Sequence, residues 1–230
     1  MADPAAAPAD PYTDLLGELR GPLVSIQSYV RTLIARDAEL SSSARQTIHQ
    51  VILQHSTKLD GVIDDVVLYA RLVSGQVPTE RERFLLLPVL EDMRRSLDEP
   101  DRVVLTIEPT LIVDADRKAL PAAVRRLVRN SQVYGPRRES VLVLAESTAT
   151  GVEVTVRDNG RGIPQDRLAD SKRAFVRAVG VEERRRDGVG LGLAIADQLA
   201  RQCGGRLDLR NDEPGFSAVL SLPAAPATVR

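Results

Sequence analysis

Two glycine-rich segments, "VRDNGRGIP" (156–164) and "DGVGLGLAIA" (187–196), contain residues whose types and spacing suit ligand binding. The candidates are one carboxylate and five glycines: Asp158, Gly160, Gly162, Gly188, Gly190 and Gly192. Glycine allows the backbone to approach a ligand closely and to point its N–H groups at phosphate, and a helix N-terminus favours anions. A carboxylate at a strand end can accept a hydrogen bond from an exocyclic amine, such as that of adenine. Tight turns explain either glycine cluster alone equally well.

Asn130 lies upstream, in "RRLVRNSQVYG" (125–135), whose apolar spacing predicts a helix that ends near Gly135. An amide oxygen is a suitable hard ligand for Mg²⁺ bound to phosphates. The alternative is an amide on a solvated helix surface. The combination of Asn130 with the two glycine segments favours a nucleotide site over unrelated turns.

The N-terminal segment "DLLGELRGPLVSIQSYV" (14–30) has the apolar spacing of an amphipathic helix, yet its first turns contain Gly17, Gly21 and Pro22. In a helix interior glycine costs about 1 kcal/mol relative to alanine, and proline about 3 kcal/mol. Helix stability therefore does not explain these three residues.

Two apolar heptad repeats must position that segment. The first runs from Leu16 to Leu33, and the second from Ile48 to Val73. The serines of "ELSSSARQ" (39–46) suit a helix N-cap between them, and Gly75 suits the end of the second helix. Because a lone helical hairpin leaves half of each apolar stripe in water, the pattern predicts a homodimeric four-helix bundle formed by residues 12–77.

After Pro78 the hydrophobic period alternates between strand and helix values without regular strand–helix–strand units. This order predicts a mixed sheet covered by helices on one face, in a domain that spans residues 78–230. The whole chain is therefore expected to be α+β, with a disordered Ala/Pro tail at residues 1–11.

Composition excludes several classes of function. The 31 Lys and Arg residues balance 32 Asp and Glu residues, so no net charge favours nucleic acid or anionic lipid. The single cysteine, Cys203, excludes internal disulfides and cysteine-rich metal clusters, and it is expected to be a small buried hydrophobe. The sequence has no signal-peptide pattern and no apolar run of ~18 residues, so a cytoplasmic protein without a membrane span is expected.

Four motifs in a fixed order resemble the transmitter core of bacterial sensor histidine kinases, over residues 12–223. "NSQVYG" (130–135) is similar to the N box, "DNGRGIP" (158–164) to the first glycine box, "RAFVR" (173–177) to the F box and "GVGLGLAIA" (188–196) to the second glycine box. The resemblance implies a dimerisation hairpin followed by a Bergerat-type ATP-binding domain.

By this resemblance, Asp158 would bind the adenine amino group of ATP and Asn130 would help to hold Mg²⁺. Gly188, Gly190 and Gly192 would lie at the phosphates, and residues 163–187 would form a mobile lid. The N box departs from the family pattern, because Arg126 replaces an earlier Asn and Val133 replaces a Lys. These departures leave metal and phosphate affinity open.

"GELRGPL" (17–23) resembles the family's H box, with Gly17 at the histidine position and Gly21 at the Thr/Asn position. Phosphoryl transfer needs a nucleophile, and glycine has no side chain. Glu18, the base in the family, then has no proton to accept. Gly21 likewise cannot place a water for phosphatase chemistry. An engineered replacement would explain Gly17, but the paired loss at Gly21 favours natural degeneracy.

The two histidines of the chain do not replace the missing one. His55 occupies a heptad position, where a packed or register-fixing residue is expected, and His49 is expected to be solvated. Neither has the acidic neighbour that follows the acceptor histidine in this family.

The leading hypothesis is a dimeric, ATP-binding pseudokinase that acts as a regulator or scaffold and docks a response-regulator receiver domain. Three alternatives remain open. The ATP-binding domain could phosphorylate a histidine on a partner histidine kinase in trans, the chain could be an interaction module with a non-functional pocket, or it could be a stand-alone ATPase.

Overall fold

The computed structural model describes residues 11–176 and 189–224. Gly188, residues 177–187 of the predicted lid and residues 1–10 of the predicted tail at 1–11 therefore lie outside the described residues. The chain divides into two compact units between Leu68 and Tyr69. The predicted domain limits of 12–77 and 78–230 remain predictions.

The N-terminal unit is a helical hairpin. Helix α1 (Pro11–Arg36) is followed by a 3₁₀ turn (Asp37–Glu39) and by helix α2 (Ser42–Val73). The Oγ atom of Ser41 accepts a hydrogen bond from the Ala44 N–H at 3.2 Å, which confirms the predicted serine cap. The two helices are joined by an ion pair in which the Lys58 Nζ of α2 lies 3.3 Å from the Glu18 carboxylate of α1.

Helix α2 ends in the way that its glycine predicts. Gly75 adopts φ +68°, a left-handed conformation that glycine enters without steric cost. The Gln76 N–H then donates to the Arg71 carbonyl at 2.9 Å, so that one of the last free carbonyls of the helix is satisfied.

After α2, the described residues of the second unit form seven strands and four α-helices. The helices are α3 (Leu86–Arg95), α4 (Ala119–Tyr134), α5 (Gln165–Leu168) and α6 (Gly192–Gln202). The strands are β1 (Arg81–Leu85), β2 (Val103–Ile107), β3 (Ile112–Asp116), β4 (Val141–Thr148), β5 (Gly151–Asp158), β6 (Arg206–Asn211) and β7 (Phe216–Pro223).

Five of these strands form one mixed sheet in the order β2-β4-β5-β7-β6. Strands β2 and β4 are parallel, and the other neighbours are antiparallel, while β1 and β3 form a separate antiparallel pair. Val152, Val154 and Val156 of β5 are buried, whereas the residues between them are half-buried. Helices α4 and α6 pack on each other and on this sheet, so the predicted α+β class with a helix-covered sheet is confirmed.

Asp116 organises the start of α4. Its Oδ1 accepts the N–H groups of Lys118 and Ala119 at 2.9 Å each, and its Oδ2 accepts the Glu80 N–H at 2.9 Å. Burial raises the pKa of this carboxyl, but these backbone donors, joined by the Lys118 charge, outweigh burial and hold the pKa below its usual value. The carboxylate thus caps α4 and ties it to the segment before β1.

Cys203 is fully buried, as predicted, and burial raises the pKa of its thiol to about 11. Within the described ranges, no helix is both long and apolar enough to cross a bilayer.

Candidate functional site

Asp158 is the last residue of β5, and its side chain is buried. It lies in register with Phe216 of β7, so the central strands of the sheet hold its backbone in place. Its Oδ1 accepts the Gly160 N–H at 2.8 Å. A carboxylate has several acceptor positions, so the side chain retains capacity for a further donor.

Two glycines pack closely around this carboxylate. A Cβ atom on Gly160 would lie 2.7 Å from the Asp158 Oδ1 and 3.3 Å from the Gly135 Cα. A Cβ atom on Gly135 would lie 3.3 Å from the Asp158 Cβ. Gly135 directly follows α4, so the end of this helix and the end of β5 meet at Asp158.

The rest of the first glycine segment adopts a conformation that requires glycine. Gly162 has φ +71°, and a Cβ atom there would collide with the Asn211 Oδ1. Asn211, at the end of β6, accepts the Ile163 N–H at 2.9 Å and donates its Nδ2 to the Ile163 carbonyl at 2.7 Å. The loop after Asp158 is therefore fixed at both ends.

The second glycine segment leads into α6. Gly190 has φ +71°, and its carbonyl accepts the Phe175 N–H at 3.1 Å, which joins the segment to the F-box-like segment. A Cβ atom on Gly190 would lie 2.8 Å from the Val176 carbonyl oxygen. Around Gly192, the first residue of α6, a Cβ atom would meet no described atom within 4 Å beyond the adjoining helix backbone, so the described residues leave space beside the first turn of α6.

Asn130 lies near the C-terminal end of α4, which packs beside α6. Its side chain is half-buried, and its amide forms no hydrogen bond with the described part of the chain. Arg126 lies one turn earlier on the same helix and is also half-buried. The amide oxygen of Asn130 is thus available to a ligand.

The H-box-like segment lies on α1, apart from these residues in sequence. Gly17 and Gly21 are both exposed, and a Cβ atom on either would meet no described atom within 4 Å beyond the adjoining helix backbone. The neighbouring Glu18 is engaged by Lys58 of α2. His49 is exposed and His55 is half-buried, in agreement with their predicted positions on α2.

Three residues of the site have no sequence signal that marks them as functional. Gly135 carried only the signal of a helix end, Gly215 only that of a turn, and Asn211 no signal that distinguishes it from other polar strand ends. Gly215 has φ +115°, and a Cβ atom on it would collide with the Asp158 carbonyl oxygen.

A family model described as "Histidine kinase-, DNA gyrase B-, and HSP90-like ATPase" matches residues 115–226, which include α4, α6 and both glycine segments. Among curated proteins, the sensor histidine kinase AtsR of Burkholderia thailandensis is 30% identical over 218 residues. That alignment covers 90% of this chain and 35% of AtsR, so the chain spans about a third of this relative's length.

Solved structures show the same fold. The histidine kinase AdeS of Acinetobacter baumannii superposes with a TM-score of 0.69 at 19% identity, covering 89% of this chain and 97% of that one. A complex of the histidine kinase ThkA with the response regulator protein TrrA superposes with a TM-score of 0.68 at 19% identity, covering 94% and 61%. The motifs, the fold and these similarities together identify the chain as a transmitter core of the histidine kinase type, with an ATP-binding domain.

Proposed function

We propose that this chain is a pseudokinase of two-component signalling, which dimerises and binds ATP with Mg²⁺ but lacks a phosphoacceptor of its own. The observation that carries the proposal is Gly17 at the H-box position, with no side chain and open space around it. Nucleotide binding would then act as a signal, by changing the populations of the chain's conformations.

The residues around Asp158 fit an adenine nucleotide. Asp158 offers a buried acceptor, and the close approach of Gly135 and Gly160 holds this carboxylate in place. Gly192 opens the N-terminus of α6, where unpaired N–H groups favour phosphate oxygens. We assign Asp158, Gly160 and Gly162 to the base side of the site and Gly190 and Gly192 to its phosphate side. Gly188 is assigned with the latter pair from sequence alone.

Asn130 is the residue assigned to Mg²⁺. Among the described residues there is no cluster of three or more His, Cys, Asp or Glu side chains that could hold a metal ion unaided. The nucleotide phosphates would therefore supply most of the ligands, which is how Mg²⁺ is usually bound in proteins. Bound there, the ion would neutralise phosphate charge, and the amide oxygen of Asn130 would orient it.

The hairpin supplies the proposed interaction surfaces. Large apolar residues on both helices remain exposed in the single chain: Leu16, Leu23, Val24, Ile34, Leu53, Ile63 and Val67. A second copy of the hairpin would bury them in a four-helix bundle. The similarity to ThkA, solved in complex with TrrA, supports a receiver domain of a response regulator as the further partner.

Labelling with γ-³²P-ATP tests the missing acceptor. We expect no acid-labile label on the wild-type chain, because no histidine stands at position 17. A Gly17→His variant should fold, since the added side chain enters open space on a helix that glycine weakens. Gly61→His is the matched control, because Gly61 lies on α2 in equally open space. Acid-labile label on the wild-type chain would contradict the proposal.

Phosphorylation of a partner's histidine in trans is a second candidate function, favoured by the buried Asp158 and the open N-terminus of α6. The same experiment separates the two functions. Label on Gly17→His, but not on Gly61→His, would show that the ATP-binding domain transfers phosphate and would favour transfer in trans. ATP binding without label on any variant would favour the regulatory role.

A further inference from the structure

The turn between β6 and β7 contacts the first glycine segment through one side chain. The Asn211 amide pairs with Ile163 as the backbone of a neighbouring strand would. It accepts the Ile163 N–H at 2.9 Å and donates to the Ile163 carbonyl at 2.7 Å. Both distances are those of well-formed hydrogen bonds. A single side chain therefore satisfies both backbone polar groups of this loop residue.

Two glycines permit this contact. A Cβ atom on Gly162 would collide with the Asn211 Oδ1, and the left-handed φ of Gly162 is one that other residues rarely adopt. On the opposite side, a Cβ atom on Gly215 would lie 3.0 Å from the Asn159 Cα and would collide with the Asp158 carbonyl oxygen. The backbone of the loop after Asp158 and the backbone of the turn between β6 and β7 are thus in direct contact.

Strand register places this contact in line with the buried carboxylate. Asn211 is opposite Phe216, and Phe216 is opposite Asp158. The loop then runs from Asp158 through Gly160, which donates to the Asp158 Oδ1, to Ile163, which Asn211 holds. The two ends of this six-residue segment, Asp158 and Ile163, are consequently attached at the same end of the paired strands.

We propose that Asn211 is a positioning residue of the nucleotide site: by clamping Ile163 it holds Gly160 against Asp158 and so orients the carboxylate toward the base. This inference rests on the proposed function. Without the clamp the Gly160 N–H can withdraw, and the carboxylate can rotate away from the exocyclic amine. The role of Asn211 should therefore appear as loss of base discrimination as well as loss of affinity.

The test compares ADP with IDP, which lacks the exocyclic amine, by calorimetry on the full chain. In Asn211→Ala, affinity for ADP should fall roughly three- to tenfold, the loss expected for one or two hydrogen bonds. Affinity for IDP should fall less, so that the ratio of the two dissociation constants narrows. Because Asn211 is exposed, its truncation leaves no cavity and the variant should fold.

Gln202→Ala is the matched control. The Gln202 Nε2 also donates to a backbone carbonyl, that of Val77, at 3.1 Å, but at the far end of α6. This variant should keep the ADP-to-IDP ratio of the wild type even if its melting temperature falls. An unchanged ratio in Asn211→Ala, or an equal narrowing in Gln202→Ala, would overturn the inference alone. No binding of ADP by the wild-type chain would overturn the proposed function with it.

Discussion

At the scale of single residues, the chemistry of this protein depends on side chains that are present at one site and absent at another. Asp158 is a buried carboxylate with one oxygen engaged by Gly160. Gly17 and Gly21 carry no side chain at the two positions of α1 that resemble the reactive positions of the H box. A binding site and an acceptor site can therefore diverge independently, because different residues supply them.

Asp158→Asn tests the assignment of the base-binding carboxylate. An Asn amide has one acceptor and one donor face, whereas Gly160 and an adenine amine both require an acceptor. In either orientation one donor would face another, at a cost of about 2 kcal/mol, which is roughly a thirtyfold loss of ATP affinity. Calorimetry measures the loss, and the exposed Asp101→Asn, which makes the same chemical change, is the control. Wild-type affinity in Asp158→Asn would refute the assignment.

At the scale of elements, caps and tight turns decide where each helix begins and where each glycine segment lies. The N-terminus of α4 is fixed by Asp116, and its C-terminus by Gly135, which contacts Asp158. The position of Asn130 along α4 is thus determined from both ends of the helix.

Asp116→Asn tests the cap of α4. The carboxylate accepts three backbone N–H groups, and an Asn amide would present a donor to at least one of them. We expect a loss of about 1–2 kcal/mol of stability at neutral pH. Thermal melting of both proteins measures this difference, with the exposed Asp101→Asn as the control.

The difference in stability between wild type and Asp116→Asn should also depend on pH. The folded pKa of Asp116 lies below its unfolded value of about 3.9. The contribution of this carboxylate to stability is therefore fully present above its unfolded pKa, and it is lost as the pH falls through the folded pKa. The difference in stability between wild type and Asp116→Asn should become smaller in the acid range. A difference that becomes larger there would contradict the assigned role of Asp116.

At the scale of the whole molecule, the two units differ in how they bury their apolar side chains. The ATP-binding unit buries a continuous aliphatic core that includes Leu90, Leu120, Ile195 and Leu220. The hairpin, by contrast, exposes 80% of Ile34 and 68% of Leu53. An apolar face of this kind is expected to be covered by another chain.

Leu53→Asp tests dimerisation. Burial of one leucine contributes about 2 kcal/mol, and a two-fold interface contains it twice, so the dimer dissociation constant should rise about a thousandfold. Sedimentation velocity across a concentration series measures the change. Leu85→Asp is the control, because Leu85 is 45% exposed at the N-cap of α3, where Asp is favourable. A wild-type chain that is monomeric throughout the series would refute the dimer.

Sequence patterns predicted much of this architecture because local spacing governs it. Heptad spacing indicated both helices of the hairpin, and the Ser41 cap and the Gly75 terminus lie where turn chemistry requires them. The alternation of strand and helix periods after Pro78 likewise indicated a mixed sheet. The clamp on Ile163 could not be predicted in this way, because it joins residues 48 positions apart.

Residue types alone therefore determined that position 17 has no nucleophilic side chain, since no fold can supply one to glycine. They also determined the helix and strand periods, which are properties of neighbouring residues. Only the tertiary structure decided that Gly135, Gly160 and Gly215 all contact Asp158 and its loop, and that Asn211 secures that loop. Such contacts depend on strand register and on the packing of distant segments, and no local pattern of side chains encodes them.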